Sequence, residues 1–160
     1  NNDFYDVVFL GQVGSYRNYR KEYLDYLKDN KKNLNMFISE FNKDLQISNE
    51  EHALILGKSK IGLNFSYSLD KHQIKGRICY TMLSGALLLE SKNKQIESMF
   101  EEGKDYISFI SKEDMLKKIH YYLNNEKERR KIAENGRNKV LQKYNGKILW
   151  NKIFNHLDFS

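Results

Sequence analysis

At 160 residues with one cysteine, Cys79, the chain has the size of a single domain and cannot close an internal disulfide, which points to a reducing compartment. It is 40% hydrophobic and 30% charged, and its 27 bases and 21 acids (net +6) are interleaved, which argues against a nucleic-acid tail and suits a small anionic ligand. No apolar run is long enough to span a bilayer and no signal peptide is visible, so a cytoplasmic protein is expected. The opening on Asn1 without a methionine is expected of a fragment of a longer chain.

Residues 7–10 read as a first strand, 17–28 as a tyrosine-rich helix and 34–38 as a second strand. Ser48 with Glu51 three residues on has the capping-box pattern that opens a helix. Residues 61–65 are a third strand, and 77–84 a short helix leading into a fourth strand at 86–89. A helix at 95–100 then leads to a last strand at 106–109.

Ser111 caps a further helix with Asp114 at the box position, and Met115, Leu116, Ile119 and Leu123 share one face. Ile132, Gly136, Val140 and Tyr144 recur at a spacing of four in the next. Leu149, Trp150, Ile153, Phe154 and Leu157 form an apolar stripe in the last, expected to meet a second domain or its own sheet. The alternation predicts one α/β domain over residues 1–160: a Rossmann-like parallel sheet of five or six strands flanked by helices.

In such a sheet, loops leaving the strands' carboxyl ends share one rim, where ligands bind. Three segments fall there: "GQVGSYR", "NFSYSLDKHQIKGR" and "ESKNKQ". The first offers Gly11 and Gly14 for close backbone approach and Arg17 at the next helix start, though it also fits an ordinary strand-to-helix turn. The second offers Asn64 and, at a helix start, Lys75 and Arg77. Cations there are mildly unfavourable unless an anion sits between them, so a diphosphate is one reading and a solvated pair of charges the other. Gly85 reads as the residue of a tight helix-to-strand turn. His52, His72, His120 and His156 lack metal-ligand spacing, no D-x-D pair is present, and no metal site is expected.

The segments "KSKIGLNFS", "KGRICYTMLSGALLLE" and "FEEGKDYISFISKEDMLKKIHYYLNNEKERRKIAENGRNKVLQKY" resemble the carboxyl-terminal domain of GT-B glycosyltransferases, closest to the group 1 or spore-maturation-like branch. The resemblance implies the nucleotide-sugar-binding half of a transferase, with no cofactor beyond the nucleoside-diphosphate sugar itself. It also implies no metal and an acceptor held by a missing amino-terminal domain; separately, the sequence shows no helix-turn-helix, aromatic RNP-type strand or concentrated basic stripe, so no nucleic-acid partner is expected. Lys75 and Arg77 would then stabilise the leaving diphosphate, with Arg17 beside them. After the matching arginine the family pattern is roughly Phe-Glu-x-x-x-x-Gly, whose Glu binds the ribose. Here Arg77 and Gly85 match, but Cys79 and Tyr80 stand at the Phe and Glu positions. Either the Tyr80 hydroxyl takes the ribose or donor binding has changed, and Glu90 is the nearest acidic candidate by rim position. The alternative on the same fold is a non-catalytic carbohydrate-assembly or interaction module.

Overall fold

The computed structural model describes residues 4–13, 18–40, 47–68, 71–72, 74–144, 146–148 and 151. Five parallel strands form the main sheet: β1 (Tyr5–Gly11), β2 (Met36–Glu40), β3 (Ser59–Asn64), β6 (Leu87–Ser91) and β7 (Ile107–Phe109), in the order β2-β1-β3-β6-β7. Two short strands, β4 (Tyr67–Ser68) and β5 (Lys71–His72), make a separate antiparallel pair within the loop after β3. The helices are α1 (Asn18–Asp29), α2 (Asn49–Gly57), α3 (Gly76–Ser84), α4 (Lys94–Glu97), α5 (Lys112–Asn124) and α6 (Glu126–Lys143). The Rossmann-like expectation is met, and the apolar stripe from Leu149 to Leu157 lies outside the described residues apart from position 151.

Alternation along β1 divides the core. Val7 and Phe9 face α1 and α5 and join the larger cluster with Leu24, Leu27, Ile61, Leu63, Met115 and Ile119. Val8 and Leu10 face the other way and pack with Leu56 of α2. On that second face α3 and α6 build a separate cluster from Ile78, Met82, Leu88, Ile96, Phe100, Tyr106 and Val140.

Local chemistry sets the element ends. Ser48 accepts from the Glu51 N–H while the Glu51 carboxylate accepts from the Ser48 N–H, the reciprocal pair expected at the start of α2. Ser111 likewise accepts from the Asp114 N–H, but the Asp114 carboxylate reaches Ile110 rather than Ser111. Gly85 ends α3 in the left-handed region at φ 86°, its N–H bonded to the Met82 carbonyl, and turns the chain directly into β6.

Most expected bounds move by one or two residues, the first strand to Tyr5–Gly11, the third to Ser59–Asn64 and the fourth to Leu87–Ser91, and two shifts have local causes. The second strand starts at Met36 rather than at 34, because Leu34 closes a turn onto Lys31 and Asn35 is pinned by its N–H to Asp6 and its side chain to Phe4. The helix expected at 95–100 spans only Lys94–Glu97 behind its Asn93 cap.

Close approach of helix to sheet comes from missing side chains. A Cβ at Gly62 of β3 would collide with Thr81 of α3, and one at Gly136 of α6 would collide with the Asp105 carbonyl. Gly136 is the one small residue in the spacing-of-four row of α6, and it lets this helix touch the backbone before β7.

Candidate functional site

The chain leaves β1 for β2 on one side and returns to β3 on the other, so the order of strands reverses between β1 and β3. The crevice of a doubly wound sheet lies outside the carboxyl ends at such a point. Here those ends are Gly11 and Asn64, and the amino end of α3 stands beside them.

Lys75 is the N-cap of α3, in extended backbone without a side-chain cap, and the first turn carries no acidic residue. Arg77 turns away from the helix end. Its Nη1 donates to the Leu10 carbonyl at 3.1 Å, and its guanidinium fills the space beside Gly11. The charge that would oppose the helix dipole is thus carried back to the negative carbonyl end of β1. Gly11 was expected to admit a ligand's approach; the group it admits is the Arg77 side chain.

Between α2 and α3 runs a cleft of about 500 Å3, lined by Asn49, His52 and Leu56 on one wall and by Arg77, Tyr80 and Leu83 on the other. Tyr80 is 58% exposed, with its ring against Gly76 at the helix start. His52 is half-buried, and desolvation, with the nearby Arg77 charge second, holds its imidazole below the ordinary value. The histidine is therefore neutral at pH 7, and Arg77 on the facing wall carries the fixed positive charge. A smaller recess beneath, lined by Leu10, His52, Asn64, Arg77 and Thr81, connects the cleft chemistry to the strand ends.

Asn64 and Glu90 are cross-strand neighbours in the β3–β6 register. Both are sealed: Asn64 is 1% and Glu90 0% exposed. The Glu90 carboxylate accepts from Asn64 Nδ2 at 2.5 Å, from the Ser66 N–H at 2.8 Å, and from the Ser91 and Ser66 hydroxyls at 3.1 and 3.3 Å. Burial pushes this carboxyl above its usual range, while the four donors pull the other way. With these four hydrogen bonds made internally, the Glu90 carboxylate braces the exits of β3 and β6.

Of the residues singled out in sequence, the structure brings Gly11, Asn64, Lys75, Arg77 and Tyr80 to one corner of the sheet and places Glu90 beneath them. Gly14 and Arg17 lie outside the described residues. Arg20 was not anticipated. It is 1% exposed and donates to the Phe65 carbonyl at 2.7 Å, the Gln12 carbonyl at 3.2 Å and the Tyr19 hydroxyl at 3.3 Å. Its signal is its spacing: Arg20, Leu24 and Leu27 stand at i, i+4 and i+7, and all three are buried on the core face of α1. His52 draws notice in sequence only for metal-ligand spacing and Asn49 goes unmarked, because a wall formed by two helices distant in sequence has no local pattern.

No described helix is long and apolar enough to cross a membrane, and among the described residues no group of three or more metal-ligating side chains assembles.

A family model described as glycosyl transferase-like matches residues 13–154. No curated protein sequence matches the chain. Among solved structures, HepE of Anabaena in complex with UDP-glucose superposes with a TM-score of 0.69 at 11% identity, over 94% of this chain and 48% of that one. The carboxyl-terminal domain of LpcC, a group 1 family glycosyl transferase of Francisella tularensis, gives 0.61 at 13% identity over 88% and 86%. Sucrose-phosphate synthase of Thermosynechococcus elongatus gives 0.66 at 13% identity over 94% and 38%. At these identities the likeness is one of fold. The chain spans about half the length of HepE (48%) and most of the LpcC domain (86%).

Proposed function

Because the chain belongs to the glycosyl transferase-like family, we propose that it is the donor-binding half of a glycosyltransferase that uses a nucleoside-diphosphate sugar. The observation that carries this reading is the position of Arg77. It is a half-buried guanidinium at the strand-order reversal, between the carboxyl end of β1 and the amino end of α3, and it opens into a cleft of nucleotide size.

In glycosyl transfer the bond from the anomeric carbon to the diphosphate breaks, and its electron pair leaves with the phosphate oxygen. Negative charge on the leaving diphosphate grows in the transition state, so a fixed cation already oriented there lowers the barrier. Arg77, preset by the Leu10 carbonyl, fills that role, with Lys75 and the helix dipole of α3 beside it. On this reading the stabilisation comes from protein cations without a metal. Tyr80, on the cleft wall, takes the ribose through its hydroxyl. The acceptor, and any base that deprotonates it, belong to a second domain, in keeping with the half-length match to HepE, which binds UDP-glucose.

The second reading, a carbohydrate-assembly module without catalysis, is favoured by one observation: among the described residues no carboxylate lines the cleft where Tyr80 stands. Thermal-shift titration with UDP, GDP, TDP and CDP separates the two. The donor-binding reading expects one of them to raise the midpoint in a dose-dependent way, and no response to any of the four sinks it.

A further inference from the structure

Phe65 and Ser66 share one peptide unit, and two buried charged side chains grip its ends. Arg20 donates to the Phe65 carbonyl at 2.7 Å, and the Ser66 N–H donates to Glu90 Oε1 at 2.8 Å. A trans peptide points these two groups in opposite directions. The guanidinium therefore sits at the negative end of the peptide dipole and the carboxylate at the positive end. Neither side chain forms a direct ion pair with another described residue, and burying a charge without compensation is costly. The peptide joins the two charges.

The same two residues also reach the neighbouring strand exits. Arg20 holds the Gln12 carbonyl after β1, and Glu90, itself on β6, holds Asn64 at the end of β3. The Phe65 ring is fixed separately, edge-on to Phe9, Tyr19, Tyr23 and Phe109 at centroid distances of 5.5–6.1 Å. Side chain and peptide at this corner are thus held by different partners.

We propose that Arg20 and Glu90 are a coupled pair of positioning residues. Through the 65–66 peptide they hold the exits of β1, β3 and β6 at the spacing a nucleoside diphosphate requires, without touching it. The proposal rests on the donor-binding reading and goes beyond it, since neither residue lines the cleft.

The test uses the full chain with Arg20→Lys, Glu90→Gln and the exchanged double variant Asn64→Asp/Glu90→Gln. Gln at 90 keeps the acceptor for Ser66 but removes the charge and sets an NH2 group against the Asn64 amide. Asp at 64 returns both the charge and the hydrogen bond, with donor and acceptor reversed. Two quantities are read: amide exchange at Ser66 relative to Ile61, and the dissociation constant for UDP, or for whichever of GDP, TDP and CDP the parent binds instead. Glu90→Gln is expected to speed Ser66 exchange and weaken the nucleotide by at least about tenfold each. Arg20→Lys, which can still reach one carbonyl, is expected to fall between, and the double variant to return both readings to within about threefold of the parent.

A Glu90→Gln protein with both readings unchanged overturns the pair. Loosened Ser66 with unaltered nucleotide affinity overturns the positioning role and leaves the donor-binding reading standing. A parent that binds none of the four nucleotides overturns that reading and this role with it. If Glu90→Gln does not fold, the double variant decides, and nucleotide binding weaker than about threefold below the parent defeats the proposal.

Discussion

The guanidinium of Arg77 occupies the space that a Cβ on Gly11 would need, and from there it holds the Leu10 carbonyl. A glycine at the end of the first strand and an arginine 66 positions later are thus one structural unit. The glycine is small because the arginine must pass.

Gly11→Ala is expected to push Arg77 off the Leu10 carbonyl and to crowd the Phe9 ring with its own methyl, at a cost of about 1–3 kcal/mol. Because the lost contact is the same one, Gly11→Ala/Arg77→Ala should be little less stable than the worse single variant. Urea unfolding of the four proteins measures this, and strictly additive losses would show that the two positions act independently.

Arg77→Ala is expected to weaken nucleoside-diphosphate binding by about 1.5–3 kcal/mol, the range for charge-assisted hydrogen bonds, and to leave the bare nucleoside almost unaffected. Calorimetric titration of both ligands makes the comparison. Equal losses would assign Arg77 to holding the β1 exit alone.

His52 titrates below the ordinary histidine value, first because it is desolvated and second because Arg77 is near. The unfolded chain takes up a proton near pH 6.5 while the folded histidine stays neutral, so stability falls as pH drops from about 6.5 toward the folded value and is unaffected above it. His52→Gln should flatten that part of the stability profile. In NMR titration, Arg77→Ala should move the His52 midpoint up by part of the depression only, since burial is the larger cause. A parent midpoint at or above about 6.5 contradicts the assignment.

Tyr80→Glu restores a carboxylate to the cleft wall beside the start of α3. The expected outcome is tighter binding of a nucleoside diphosphate by roughly tenfold, with no matching gain for the corresponding free base. No change in the titration would show that the ribose is held elsewhere.

The parallel sheet is legible in sequence because its buried strands are short apolar runs between amphipathic helices, and the Ser48–Glu51 pair marks a helix start by chemistry that is wholly local. What escapes local reading depends on register. The β4–β5 pair is too short to carry a period of two. Leu34 looks like strand, and only the contacts of Asn35 with Asp6 and Phe4 show where the strand begins. Sequence puts Glu90 at the carboxyl end of the fourth strand, but its burial follows from lying opposite Asn64, a pairing fixed by the sheet as a whole. Arg20 hides in plain sight, because a cation at an apolar position of a helical row is ordinarily discounted as solvated.

The two walls of the α2–α3 cleft are anchored unequally. α3 sets Ile78, Thr81 and Met82 into the interior, whereas α2 commits Leu56 alone and leaves Leu54 62% exposed. A helix anchored by one fully buried side chain, with Ile55 packing partly buried beside it, is expected to open locally more readily than one anchored by three. The cleft therefore has a hard jaw and a soft one. On the donor-binding reading, displacement of α2 would fit the cleft width to the nucleotide while Arg77 and Tyr80 on α3 keep their places, so selectivity for the group against α2 is expected to be looser than for the phosphates.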